Sequence, residues 1–188
     1  MKHTLAALAL CPALALPAAA ADTYTIDPGH TYPSFEINHL GFSTMRGTFD
    51  ATSGRVKLDP AARSGSIEIS IDTASIDTGH TKRDEHLRSE DFFNVAQFPS
   101  MTYKATRLRF DGDRLAGADG ELTLLGVTRP VSLTLTAFHC GPHPMNKKQV
   151  CGANATTTIK RSEFGMKTYV PAVGDEVKIS IEVEAVKD

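Results

Sequence analysis

The chain has no tryptophan, few aromatics (7%) and only three cysteines in 188 residues, and its 20 Lys and Arg nearly balance 22 Asp and Glu. A net charge of −2 without a basic block argues against nucleic acid or an anionic membrane surface as partner on charge alone. Also missing are a phosphate-cradling glycine loop, a G-x-S-x-G elbow and an HExxH pair. His30, His39, His80, His86, His139 and His143 show no established metal spacing, so the common hydrolase and metalloenzyme signatures are absent. Beyond residue 21 no apolar run approaches the roughly 20 residues that a membrane helix needs. The mature chain is therefore expected to have no membrane span.

The first residues have a different character. Lys2 gives a positive start, residues 5–16 form a short apolar run, and Pro17 precedes the small residues Ala18, Ala19, Ala20 and Ala21. This predicts a secretory signal peptide over residues 1–21, cleaved after Ala20 or Ala21, with the periplasm as destination. Cys11 follows Leu10, where a lipoprotein site wants a small residue, so a soluble mature protein is expected. Residues 22–188 then make one domain, large enough to bury about two thirds of its unfolded surface. The mature cysteines are Cys140 and Cys151. An even pair in an oxidising compartment reads as a disulfide. The rival reading, with Cys140, His143 and Cys151 as metal ligands, lacks a fourth ligand nearby.

The body of the chain is written in strand code. Strict alternation marks Ile67, Ile69, Ile71; Val131, Leu133, Leu135, Ala137; and Val177, Ile179, Ile181, Val183, Ala185. Weaker alternation runs through Tyr24 and Ile26, Phe35 and Ile37, Val56 and Leu58, Met101 and Tyr103, and residues 153–159. One face of each strand is thus apolar and the other polar. Turn chemistry separates them at Asp27-Pro28-Gly29, Asp59-Pro60, Asp111-Gly112-Asp113, residues 126–130 and Val173-Gly174-Asp175. The apolar phase slips between Met101 and Phe110, which predicts a bulge or bend around Thr106.

About eight one-sided strands close most simply into an antiparallel barrel, because closure removes exposed edges. The interior of an eight-stranded barrel is filled by side chains or holds one slender ligand, and periodicity does not separate the two. Composition alone favours the filled core.

One segment departs from strand code. Residues 81–99 read TKRDEHLRSEDFFNVAQFP, with seven charged residues between positions 82 and 91. Thr81-Lys82-Arg83-Asp84 has capping-box form with Thr81 as cap, and Asp84 and Arg88 stand four apart. This predicts a short exposed helix over residues 82–91. Phe92 and Phe93 would pin its end across a barrel mouth as a plug or lid. The charges either pair with one another in solvent or present Lys82, Arg83, His86 and Arg88 to an anionic head group. His80 and Asp84 would share a metal only if both were helical, and Thr81 as cap leaves His80 outside.

The stretches IDPGHTYPSFEINHLGFSTMRGTF, IDTASIDTGHTKRDEHLRSEDFFNVAQFPSMTY, ELTLLGVTRPVSLTL and IKRSEFGMKTYVPAVGDEVKISIEVEA resemble those of the YceI-like polyisoprenoid-binding family. The likeness covers essentially the whole mature chain in family order, and R-D-x-H-L-R-S-x-D-F-F, G-V-T-R-P-V and P-A-V-G-D-E-V are specific in combination. The resemblance implies an all-β, extended eight-stranded antiparallel lipocalin-like barrel with one short helical insert. It also implies a periplasmic carrier whose apolar interior takes a long isoprenoid, such as a polyprenyl phosphate or a quinone-like tail, as ligand without any cofactor or catalysis.

The candidate tunnel residues are Phe35, Ile37, Phe42, Phe92, Phe93, Phe98, Met101, Tyr103, Phe164 and Met166, and the candidate head-group residues are Arg83, His86 and Arg88. His39, Leu40, Asp84, Leu87, Pro99, Arg161 and Gly165 also fall in matching stretches. The loop between Cys140 and Cys151 lies outside the general pattern and carries an expectation of stability alone. Two other classes stay open: a metal-dependent periplasmic enzyme, and an envelope or stress protein with a filled barrel that acts through surface contacts. A flat exposed strand would support a homodimer, and the sequence does not decide it.

Overall fold

A computed structural model describes residues 21–188, so the predicted leader lies outside the described residues except for Ala21. Eleven strands follow in chain order. They are β1 (Asp22–Ile26), β2 (Tyr32–His39), β3 (Ser43–Phe49), β4 (Thr52–Asp59), β5 (Ser64–Asp72), β6 (Ile76–Asp77), β7 (Ser100–Asp111), β8 (Arg114–Leu124), β9 (Val127–Pro142), β10 (Gln149–Lys160) and β11 (Val173–Lys187). Among the described residues one α-helix, α1 (Thr81–Arg88), stands between β6 and β7. All pairings are antiparallel. The ring runs β1-β4-β5-β7-β8-β9-β10-β11, and β1 pairing with β11 closes it. Eight strands thus form the closed barrel that the alternation predicts.

The remaining strands lengthen this ring. β11 pairs with β1 through residues such as Ala185 and with β2 between Val173 and Glu182, so β1 and β2 are one long strand broken by a 3-10 turn at Pro28–His30. The break follows from Pro28, whose ring cannot donate to a ladder, and from Asp27, whose carboxylate accepts from the Gly29 N–H. β3 and β4 continue one another in the same way, and the short β6 pairs with β3. Among the described residues no helix is long and apolar enough to cross a membrane.

The structure corrects the sequence reading in several places. β3 and β8 are full strands that the alternation does not announce, since Gly47 interrupts the inward row of Met45 and Phe49, and Gly117, Ala118 and Gly120 interrupt that of Leu115, Leu122 and Leu124. Val173-Gly174-Asp175 is no turn; it is the irregular start of β11, with a register shift between Val173 and Val177. The predicted bulge is present, as the β7–β8 register shifts between Ala105 and Arg107. The helix starts one residue early, with His80 as cap: His80 Nδ1 accepts from the Arg83 N–H at 3.2 Å, and Thr81 is the first helical residue. It ends at Arg88, where the Ser89 N–H turns back to the His86 carbonyl.

Cys140 and Cys151 are joined in a disulfide. They are directly opposed on β9 and β10, and the ladder runs past them to Pro142 and Gln149. The cystine therefore clamps a paired hairpin and does not close an unpaired ten-residue loop. A cross-link over so few residues contributes up to about 3 kcal/mol in the chain-entropy view. The Cys140→Ser/Cys151→Ser double variant is expected to lose about 2–3 kcal/mol in urea unfolding, with no change in far-UV spectrum. An unchanged urea midpoint would show that the hairpin is held by its ladder alone.

Candidate functional site

The barrel is hollow. A cavity of about 410 Å³ follows its interior, lined by inward residues of ten of the eleven strands. On β11 the lining takes every second residue, Val177, Ile179, Ile181, Val183 and Ala185, which is the face that alternation assigns inward. Eight residue steps correspond to about 26 Å of strand, or about 20 Å along the axis at a barrel tilt near 40°. The space is thus long and narrow. Its size is that of a small-molecule site, and its walls are overwhelmingly aliphatic and aromatic.

Local packing explains why the lumen stays open. Gly47 on β3 stands opposite Phe35 on β2, and a Cβ there would lie 2.6 Å from the Phe35 ring. The ring covers the glycine and leans on Phe49, with centroids 6.0 Å apart, and Phe49 meets Phe93 edge-on at 5.4 Å. Likewise, a Cβ on Gly120 would lie 2.8 Å from the Tyr103 ring. Large rings thus lie flat over small residues of the neighbouring strand and leave the centre clear. Tyr103 directs its hydroxyl into the wall, where it donates to the carbonyls of Ala118 and Val131 at 3.2 and 3.1 Å. Burial pushes its pKa up to about 12, so it brings no charge into the lumen.

Charge gathers at one end. Among the described residues no carboxylate lines the cavity, whereas Arg46, Arg83, Arg161, His39 and His86 do. All five belong to the end built by β2, β3, α1 and the start of β11. Arg161 is 2% exposed. Its guanidinium donates to the carbonyls of Gly174, Met166, Thr168 and Val173 at 2.8, 3.2, 2.9 and 3.1 Å. Burial lowers its pKa, and the nearby Asp175 carboxylate opposes the shift. Desolvation pushes Asp175 upward, but donation from the Ser162 N–H and hydroxyl outweighs it and holds the carboxyl below the usual range. Arg161 is therefore a staple for residues 165–174 and has little left for a ligand.

Arg83 is different. Its Nε donates to Thr78 Oγ1 at 2.8 Å, one Nη to the Thr78 carbonyl at 2.8 Å, and the other Nη faces Met45 Sδ at 3.6 Å. A guanidinium has five N–H donors, so this arrangement fixes its direction and leaves donors toward the cavity. Asp84 holds the other side of the same turn by accepting from the Thr78 N–H and hydroxyl. His86 lies against Phe92, 5.0 Å between centroids, and Tyr169, 6.3 Å. Phe92 and Tyr169 are 6.2 Å apart, so three rings form a rim.

Residues 24–185 match the family described as YceI-like domain. The chain belongs to the YceI-like family. Protein YceI of Escherichia coli is 41% identical over 175 residues, which cover 90% of this chain and 89% of that relative. The crystal structure of Burkholderia cenocepacia BcnA superposes with a TM-score of 0.72 at 25% identity, covering 85% of this chain and 98% of that one. The structure of a polyisoprenoid binding domain from Saccharophagus degradans superposes with a TM-score of 0.65 at 15% identity, covering 88% and 98% respectively, and so testifies to the fold.

Within this YceI-like barrel the sequence-derived residues separate into two groups. Phe35, Ile37, Phe92, Phe93, Met101, Tyr103 and Met166 line the cavity, together with Arg83 and His86. Phe42, Phe98, Phe164 and Arg88 do not. Phe42 sits at the β2–β3 turn and is 91% exposed. Phe98 packs on Gly126, with a Cβ there meeting its ring at 3.0 Å. Phe164 is fully buried in the core beneath the 3-10 turn Arg161–Phe164.

Arg88 donates to the carbonyls of Ala74 and Ile76, both at 2.7 Å, which closes the β5–β6 bend and removes it from any head group. The expected Asp84–Arg88 pair is therefore not formed. Residues that the sequence reading left unassigned include Tyr169, His39 and the aliphatic row of β11; the alternation of β11 was the available signal for that row. Among the described residues no three His, Cys, Asp or Glu side chains converge, and Cys140 and Cys151 are bonded to each other. The grouping of Cys140, His143 and Cys151 as metal ligands is thereby overturned.

Proposed function

We propose that this YceI-like protein carries a long-chain isoprenoid lipid through the periplasm. The apolar chain occupies the barrel and an anionic or polar head sits at Arg83 and His86. The observation that carries this reading is the long apolar lumen whose charged lining residues, among those described, are all cationic and stand at one end. Each buried CH₂ contributes roughly 0.8 kcal/mol, so one five-carbon unit contributes roughly 4 kcal/mol before the costs of binding. Shape and burial then hold the chain with few hydrogen bonds. A phosphate or quinone-like head beside a directed guanidinium gains charge-assisted bonds. The polyisoprenoid binding domain of Saccharophagus degradans shares the fold, which supports the ligand class. The signal-peptide pattern of residues 1–21 supports the compartment.

Organic extraction of natively purified mature protein, followed by mass spectrometry, is expected to release a prenyl-chain lipid at near-stoichiometric amount. A protein that yields none, and that takes up no fluorescent polyprenyl analogue, acts through its surface or through chemistry and not as a carrier.

A further inference from the structure

The same end of the barrel displays apolar side chains that packing does not use. Leu40, Phe42 and Tyr169 are 50%, 91% and 57% exposed. Leu40 and Gly41 form the centre of a tight turn with φ of 57° and 76°, closed by the Phe42 N–H donating to the His39 carbonyl at 3.0 Å. Tyr169 also has a left-handed backbone, φ 62°. Both the exposure of large apolar groups and a positive φ at Leu and Tyr cost folding free energy. The two segments are joined, since the Leu40 N–H donates to the Ala172 carbonyl at 3.0 Å and His39 pairs with Val173. His39, Tyr169 and Val173 line the cavity, so the apolar projections stand beside its cationic end. Residues 38–46 and 165–174 contain Arg46 and Lys167 and no Asp or Glu. Arg46 shares its charge with Glu36 at 2.8 Å, and Lys167 is exposed.

We propose that this rim, formed by residues 38–46 and 165–174, docks on a lipid bilayer surface through its exposed apolar side chains, so that a ligand passes between membrane and barrel without crossing water. The proposal rests on the carrier reading above. A bilayer is the occupant favoured by the geometry because Leu40 and Phe42 are exposed at a tight turn beside the end of an apolar lumen, suited to entering the interface between head groups. Glu36 and Asp91 border the rim, paired with Arg46 at 2.8 Å and His86 at 3.3 Å, so the apolar side chains carry the contact and charge does not. Continuity with the cavity mouth gives the contact its purpose.

The test is sedimentation of the mature protein with vesicles of phosphatidylethanolamine and phosphatidylglycerol, alongside uptake of a fluorescent polyprenyl analogue presented from dilute solution. The wild type is expected to bind the vesicles. Phe42→Asp is expected to weaken that binding by roughly tenfold or more while leaving analogue uptake unchanged. Leu40→Asn, a side chain that tolerates the left-handed backbone, should act in the same direction. Absence of wild-type binding, or equal binding by wild type and both variants, overturns the proposal. So does a wild-type dimer that Phe42→Asp dissolves without any vesicle binding, which would assign the rim to a second copy. Vesicle binding without analogue uptake supports docking and sinks the carrier reading instead.

Discussion

Replacing Arg161 by methionine is expected to lower the thermal midpoint by on the order of 10 °C. The side chain is 2% exposed and its guanidinium serves four carbonyls of residues 166–174. Methionine keeps the apolar stem and removes every donor, so these carbonyls lose their partner where little water reaches them. Hydrogen bonds to charged groups are individually worth about 1.5–3 kcal/mol. Removal of the guanidinium also relieves its own desolvation, and the net loss is about 3–5 kcal/mol. Hydrogen exchange should localise the damage to residues 165–174. Arg161→Lys restores little, because one ammonium cannot reproduce a fork that reaches four acceptors. A midpoint within about 2 °C of wild type would show that backbone pairing alone holds the mouth.

The sequence made the barrel legible where the inward residues are large. β11 is the clearest case, since its alternation names both the strand and the row that lines the lumen. β8 was hidden for the opposite reason. Its alternation exists, with Asp119, Glu121 and Thr123 outward, but the inward positions include Ala118 and Gly120. A hollow barrel needs small residues where a neighbour's ring lies down, and those positions carry no apolar signal.

β3 was missed on the same account, at Gly47 beneath Phe35. The phenylalanines show the limit from the other side. Phe92 and Phe42 are one residue type in two matching motifs, yet one lines the cavity and the other stands in solvent. What separates them is a tight turn at Leu40 and Gly41, whose direction depends on the register of β2 with β3. Arg83, Arg88 and Arg161 are likewise set apart by the acceptors that surround them. Irregular backbone supplies those acceptors, and periodicity says nothing about it.

Filling the lumen at its middle is expected to abolish uptake while the barrel stays folded. Ala155 is buried on β10 and lines the cavity, opposite Ile181 on β11 and Leu135 on β9. Ile181 is the midpoint of the β11 row that runs from Val177 to Ala185. An Ala155→Phe ring would cross an interior just wide enough for one slender ligand, so only the segment of chain on one side of it could enter. Losing even one five-carbon unit of burial removes several kcal/mol of gross interaction, and affinity for a polyprenyl analogue is expected to fall more than about 100-fold. Thr156→Phe, on the exposed face of the same strand, is the matched control and should bind as wild type. Stability separates the two possible interiors. In a filled core the added ring costs about 1–3 kcal/mol of strain, whereas in a lumen it occupies space already open and gains apolar contact, so the thermal midpoint holds or rises. Unchanged uptake together with a clear loss of stability would mean that the interior is solid around Ala155 and that the ligand, if any, lies elsewhere.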